Sequence, residues 1–307
     1  MQNRMFDVVV GNPPYQKSGK GRAEKLWTKF IAQGSDISKN GYLLMITPNS
    51  WLAGSKNIKK GSIGVYHDYF CKYKLIYANI EKCNIYFPKV GVKFSYFLLK
   101  SEKSENFETI WDLVNEKIKF DIRKFDFLPP NMSIVQMNIN NKIFNKTCYK
   151  VIPLTGGDKF RKTGLDNPTQ SHYIKTFVRG NNLSTTYFAY FDKVVNESVA
   201  NIRKVVIPMS GAEKFMPFVD CEGIPVCISS YIIELDEKDI YNGALSYFNS
   251  KIVRFLFEKN RSSGFIQVFV AKNIPKLDLS KTWTDQELYE HFNLTQEEID
   301  YIEESVK

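Results

Sequence analysis

The chain has no Cys-x-x-Cys pair. Its five cysteines, Cys71, Cys83, Cys148, Cys221 and Cys227, are odd in number and irregular in spacing. That argues against both a disulfide framework and a zinc ribbon. Reduced, mostly buried thiols of a cytoplasmic protein are the expectation. Histidine is scarce, and the pair His67 and Cys71, four apart, reads as packing on a helix face rather than as a metal site. No apolar run approaches the roughly 20 residues of a membrane-spanning helix. The short apolar run near the N-terminus is cut by Asn12-Pro13-Pro14 and lacks the form of a signal peptide. Neither an internal repeat nor a low-complexity tract is present.

What the chain has in surplus is positive charge and aromatic rings. Lys and Arg number 42 against 33 Asp and Glu, a net charge of +9. Such a balance fits a polyanionic partner, nucleic acid first and an acidic membrane surface second. The 23 Phe and 17 Tyr, interleaved with Lys and Arg, suit base stacking and phosphate contact together. At 307 residues, 43% hydrophobic and 24% charged, the chain is globular and long enough for two domains.

Taken in order, residues 5–10 read as a short strand buried on both faces, as inside a parallel sheet. A basic Gly- and Ser-rich loop follows over 16–22. Leu26, Trp27, Phe30 and Ile31 set a helical spacing within 23–38. Tyr42 to Ile46 is a second buried strand that ends in the polar cluster Thr47-Pro48-Asn49-Ser50-Trp51. A helix over 65–73 and strands around 74–80 and 93–100 come next. Alternating strands and helices with polar residues at the strand ends indicate a doubly wound α/β sheet. The functional groups of such a sheet gather outside the carboxyl ends of its strands. By that rule Asn12 to Tyr15 and Thr47 to Trp51 face one cleft. Helices are expected over 106–118 and 138–146, short strands through 150–235, an amphipathic helix over 240–259, and helices from Thr284 to Val306. Thr295 with Glu298 makes a capping box for the last of them.

The stretch Phe6-Asp7-Val8-Val9-Val10-Gly11-Asn12-Pro13-Pro14-Tyr15 carries the chemistry. The Asn12 side-chain oxygen is a neutral acceptor. Pro13 leaves its own carbonyl free and donates nothing, and two prolines hold that carbonyl in one direction. Tyr15 adds a flat ring. The set suits a planar heterocycle with an exocyclic amino group: two acceptors for its two hydrogens and a ring to stack on.

Asn12-Pro13-Pro14-Tyr15 after an apolar strand resembles the catalytic motif of the gamma-class adenine-specific DNA amino-methyltransferases of type II restriction–modification systems. The resemblance implies a partial Rossmann-like methyltransferase sheet followed by a mixed α+β target-recognition domain. It also implies transfer of a methyl group from S-adenosyl-L-methionine to the 6-amino group of an adenine flipped out of double-stranded DNA. By matching, Asn12 and Pro13 are the acceptors and Tyr15 the stacking platform. The stretch Ile85 to Lys89 with the strand after it resembles a later motif whose aromatic ring covers the other face of the base. Phe87 is that ring, with Tyr86 and Phe94 as alternatives and core packing as the plain reading. Lys204 to Leu235, Tyr247 to Lys251, Ser262 to Phe265 and the ending from Trp283 resemble target-recognition regions of such enzymes. There Lys159, Arg161, Lys162, Lys214, Arg254, Arg261 and Lys272 are candidate DNA contacts. Each alone reads as a solvated charge; as a group, some should meet phosphates and a few base edges.

The family's glycine-rich cofactor loop belongs upstream of Asn-Pro-Pro-Tyr, and only eleven residues precede Asn12. Thr155-Gly156-Gly157-Asp158 and Ser210-Gly211-Ala212-Glu213 lack the strand–loop–helix form that cofactor binding needs. Cofactor-binding residues are therefore unassigned, Asn12 alone being expected near the transferred methyl group. Asp236-Glu237-Lys238 has nuclease-like spacing but reads as a charged loop. The expected division is a catalytic part over 1–120, a linker over 121–149, target recognition over 150–280 and a helical tail over 281–307. Three arrangements fit: one half of a split methyltransferase completed by a subunit carrying the cofactor motif, a fragment of a longer restriction–modification enzyme with its endonuclease, or a non-catalytic DNA-binding specificity module.

Overall fold

The structure is a computed structural model. It describes residues 6–17, 24–52, 64–80, 82–87, 93–103, 105, 108–113, 116–125, 128–129, 133–144, 146–154, 173–178, 186–191, 199, 201–209, 217–223, 230–261, 266 and 268–306. The chain forms two compact units, Met1–Met132 and Ser133–Lys307.

In the first unit the strands are β1 (Val8–Gly11), the short ladder β2 (Gln16–Lys17) with β3 (Glu24–Lys25), β4 (Tyr42–Pro48), β5 (Tyr73–Ile80), β6 (Phe94–Lys103), β7 (Glu108–Asp112) and β8 (Lys117–Asp121). Six of them form one mixed sheet in the order β1-β4-β6-β5-β7-β8. The pairs β1–β4 and β5–β7 are parallel, while β6 runs antiparallel to both of its neighbours. Because β6 is reversed, its first residues lie beside the last residues of β4 and β5. Phe94 pairs with Pro48, and Ser95 with Thr47 and Ile80.

Helix α1 (Leu26–Ile37) packs Trp27 and Ile31 onto one face of this sheet. Gly34 lets it approach closely, since a Cβ there would meet Leu43 Cδ1 at 2.7 Å. At the turn into β4, Asn40 takes a φ of 61°. A Cβ on Gly41 would lie 2.4 Å from the Asp7 carbonyl oxygen. That oxygen accepts from the Tyr42 amide, which sets the start of β4 against β1. On the same face Trp51 meets Phe70 edge-on at 4.8 Å, and Phe70 meets Phe97 at 4.7 Å.

The opposite face is uncovered among the described residues. Val8 is 53% and Val10 68% exposed, Tyr42 is exposed beside Val8, and Ile110 is exposed farther across the sheet on β7. The expectation that the first strand is buried on both faces is therefore corrected: β1 is an edge strand with one bare face. An all-apolar run records what a strand can bury, and what actually covers it is a tertiary matter. The helix expected over 106–118 is also corrected. Residues Glu108–Asp112 and Lys117–Asp121 pair antiparallel, burying Thr109, Trp111 and Ile118. That period of two outweighs a short stretch of helical spacing.

The second unit holds β9 (Val151–Leu154), the antiparallel pair β10 (Tyr173–Val178) and β11 (Thr186–Phe191), β12 (Lys204–Pro208), β13 (Phe218–Asp220) and β14 (Ser230–Glu234). An antiparallel sheet runs β13-β12-β14-β9 over a core of Leu154, Val199, Val206 and Ile232. Its helices are α2 (Ile134–Phe144), α3 (Tyr241–Phe248), α4 (Lys251–Lys259), α5 (Val268–Lys272), α6 (Asp285–His291) and α7 (Gln296–Ser305). The amphipathic stretch 240–259 is thus two helices. Ser250 interrupts it by capping α4, its hydroxyl accepting from the Val253 amide. Buried amides tie α2 to the end of α4: Asn140 and Asn260 exchange side-chain hydrogen bonds at 2.9 and 3.1 Å. Capping boxes open both tail helices, at Thr284 with Glu287 and at Thr295 with Glu298.

Lys204 and Asp220 form an ion pair with no side-chain exposure to speak of. The Lys204 ammonium also donates to the Ile202 carbonyl, and Asp220 accepts from the Glu222 and Gly223 amides. Burial pulls the Lys204 amine below its ordinary value while Asp220 opposes that shift. Removing one partner leaves a lone buried charge. Asp220→Ala is therefore expected to cost about 3–5 kcal/mol, whereas Thr295→Ala, a lost cap, should cost about 1 kcal/mol. Urea unfolding of the two variants checks the ranking; equal losses would contradict it.

Candidate functional site

β1 and β4 are parallel neighbours, with Gly11 opposite Met45, so both chains leave the sheet at the same end. Asn12 and Pro14 emerge exposed there, Pro13 is buried and Tyr15 is half-buried. The Tyr15 hydroxyl donates to the Asn12 side-chain oxygen. Its carbonyl accepts from the Leu26 amide at 3.2 Å, which ties the turn to the start of α1. Burial pushes the Tyr15 phenol above its ordinary value, so near neutral pH it keeps the proton that it donates.

The reversed strand β6 delivers a second aromatic ring to this end of the sheet. Phe94, 1% exposed, lies 4.9 Å from Tyr15, centroid to centroid, with the rings at 41°. On another side it lies 4.6 Å from Phe87 at 36°. Tyr15 and Phe87, far apart in sequence, are thus linked through Phe94. Tyr86, the other alternative ring, is 77% exposed at the end of the short 3-10 helix Lys82–Tyr86.

That short helix is fastened at two points. The Lys82 ammonium pairs with Asp112 at the end of β7. The Tyr77 hydroxyl and the Asn79 amide also donate to Asp112. Farther along, the Asn84 side-chain oxygen accepts from the Phe94 amide at 2.7 Å, and its carbonyl accepts from the Phe87 amide at 2.9 Å. Burial alone would raise the Asp112 carboxyl, but its hydrogen bonds from Lys82 and Tyr77 prevail and hold it below its ordinary value. None of these anchors announces itself in sequence, where an Asn before an isoleucine and a lone Asp ending a strand are commonplace.

Thr47 to Trp51 divides in two. Asn49 and Ser50 stay half-exposed at the same end of the sheet. Thr47 and Trp51 are buried, and Trp51 belongs to the core against Phe70. Of the candidate DNA contacts, Lys159, Arg161, Lys162 and Lys214 lie outside the described residues. Arg254 lies 3.9 Å from Glu258 on its own helix. Arg261 is half-buried just past α4, and Lys272 is exposed at the end of α5. Cys227 also lies outside the described residues; of the other four cysteines only Cys83 is buried, the rest being partly exposed. Among the described residues no cluster of potential metal ligands occurs, and no helix is long and apolar enough to cross a membrane.

Residues 1–64 match the family model of the Eco57I restriction-modification methylase. The matched segment contains Asn12 to Tyr15 and the β1–α1–β4 unit that presents them. An uncharacterized adenine-specific methylase of Mycoplasma pneumoniae (strain ATCC 29342 / M129 / Subtype 1) is 40% identical over 58 residues, 17% of this chain and 14% of that protein. Among solved structures, the type IIL restriction-modification enzyme MmeI in complex with DNA aligns at a TM-score of 0.46 and 9% identity. That alignment covers 97% of this chain and 54% of the other. The type IIG restriction endonuclease BpuSI aligns at a TM-score of 0.36 and 11% identity, covering 94% and 49%. The chain thus spans about half the length of these two enzymes.

The Asp112 cluster makes the first unit sensitive to acid. Since the carboxyl is held below its ordinary value of 3.8, its stabilising contribution is complete above that value. It is lost as pH falls through the lower, folded value. Asp112→Asn should flatten this acid limb and lower stability at neutral pH. Thermal unfolding followed from neutral pH into acid tests both effects; an unchanged limb would show that Asp112 is not the group titrating.

Proposed function

We propose that the chain carries the catalytic and DNA-reading parts of an adenine-specific DNA methyltransferase of a restriction–modification system. The observation that carries this reading is the Asn12–Tyr15 turn, which lies within the segment matched by the methylase family model, with the Phe94 ring against Tyr15 and the Phe87 ring against Phe94. The substrate is an adenine extruded from double-stranded DNA. Asn12 Oδ1 and the Pro13 carbonyl accept its two amino hydrogens, while Tyr15 and Phe87 pack against the purine. Accepting both hydrogens draws the nitrogen lone pair out of conjugation with the ring and makes that nitrogen nucleophilic. In the structure Asn12 Oδ1 is occupied by the Tyr15 hydroxyl, so the incoming amino group takes the place of that donor. The bond also keeps the amide oxygen, rather than its nitrogen, turned toward the site.

S-adenosylmethionine supplies an electrophilic methyl group. Among the described residues there is no glycine-rich turn from strand to helix that would hold it, and its binding is assigned to no named residue. Among the described residues one sheet face is uncovered and the outer edge of β1 is unpaired, which supports a complementing segment or subunit that adds strands beside Val8 and Val10 and helices over them. The basic surplus and exposed Lys272 support DNA as the partner of the second unit.

Two measurements test the reading. Asn12→Ala in the methylating form of the protein should abolish methyl transfer, a loss of at least about 100-fold, while DNA affinity stays within a few-fold. Undiminished turnover would remove Asn12 from the chemistry. Calorimetry of the chain alone should detect no binding of S-adenosylmethionine; micromolar affinity would overturn the proposal that another segment completes the cofactor site. The host's methylome, sequenced with and without the gene, identifies the target.

A further inference from the structure

Phe87 has no regular element of its own. It follows the short helix Lys82–Tyr86 and is only half-buried, yet its ring rests 4.6 Å from that of Phe94. What places it there is Asn84. This side chain accepts from the backbone amide of Phe94, while the Asn84 carbonyl accepts from the backbone amide of Phe87. One residue therefore links the backbones of both rings, and Phe94 in turn touches Tyr15. Phe94 begins β6 beside Pro48 and cannot move without disturbing the sheet. The geometry points to Asn84 as a positioning residue: it sets the separation between Phe87 and Tyr15 and so the width of the slot that receives the flipped base. The inference rests on the methyltransferase reading above and adds to it a residue that never touches the base.

The side-chain bond is the part that substitution can remove. Asn84→Ala removes the acceptor and leaves the Phe94 amide without its partner, freeing the Lys82–Tyr86 helix to swing about its remaining Lys82–Asp112 anchor. Asn84→Asp keeps an acceptor oxygen at the same place. Cys83, buried 4% exposed beside Asn84, reports on the clasp independently of activity. Its alkylation, located by peptide mapping because other cysteines are present, should accelerate in Asn84→Ala and not in Asn84→Asp.

The functional consequence is read in the completed enzyme on two duplexes, one carrying 2-aminopurine at the methylated position for the flipped-base signal and one carrying the target adenine for kcat. Asn84→Ala should lower the flipped-base signal and kcat by about 10- to 100-fold, as expected for a misplaced contact, with DNA affinity nearly unchanged. Asn84→Asp should restore both. A mismatch at the target, which lowers the cost of extrusion, should recover part of the signal in Asn84→Ala; loss of general structure would give no such recovery. If wild-type protein methylates and flips while Asn84→Ala does so equally well, the positioning role is overturned. Unchanged Cys83 alkylation overturns the clasp. If the wild-type chain, completed by the segment that binds S-adenosylmethionine, neither methylates nor flips any base, the functional reading is refuted and this inference with it.

Discussion

The reversal of β6 between β4 and β5 is the constraint on which the candidate site depends. Were all the strands parallel, the start of β6 would lie at the far end of the sheet from Asn12. Because it is antiparallel to both neighbours, Phe94 arrives where β1 and β4 end. The turn after β1 then meets an aromatic ring already buried in the sheet. The short Lys82–Tyr86 helix lies in the connection from β5 to β6, and Phe87 reaches the same place within a few residues. Three segments distant in sequence converge because one strand changes direction.

Rigidity at this end comes from polar contacts as much as from packing. Asp112 gathers Lys82, Tyr77 and Asn79, and Asn84 holds the amide of Phe94. Asp112 and Asn79 are buried, and buried polar groups cost free energy unless paired, so these contacts favour one arrangement of the connection. The Tyr15 hydroxyl acts in the same manner on Asn12. Orienting an amide whose two ends differ chemically requires a donor on the oxygen, and a half-buried phenol that retains its proton provides one.

The two faces of the first unit's sheet are unequal. One is packed by α1, Trp51 and Phe70. The other presents Val8, Val10, Tyr42 and Ile110 to solvent. This imbalance lies directly beside the Asn-Pro-Pro-Tyr turn, since Val8 and Val10 belong to the strand that ends in it. Whatever covers those valines would thereby approach the same end of the sheet as the candidate site.

Much of this was determined by the sequence alone. The apolar run before Gly11, the helical spacing around Trp27 and Ile31, the Tyr42–Ile46 strand, and the Thr295 capping box are local patterns, and local patterns are legible because propensity and periodicity act within a few residues. The acceptor character of Asn12 and Pro13 is likewise a property of the residues themselves. Only tertiary structure decided the rest. The run Glu108 to Asp121 is ambiguous by periodicity, and its strands exist because Asp112 and its neighbours find partners on β5. Trp51 reads as part of a polar cluster until Phe70 and Phe97 claim it for the core. No local signal shows that β1 has a bare face, or that Asn84 joins Phe87 to Phe94. Each of these rests on a contact between segments many residues apart, and such contacts are fixed by the direction and register of strands rather than by the identity of any one residue.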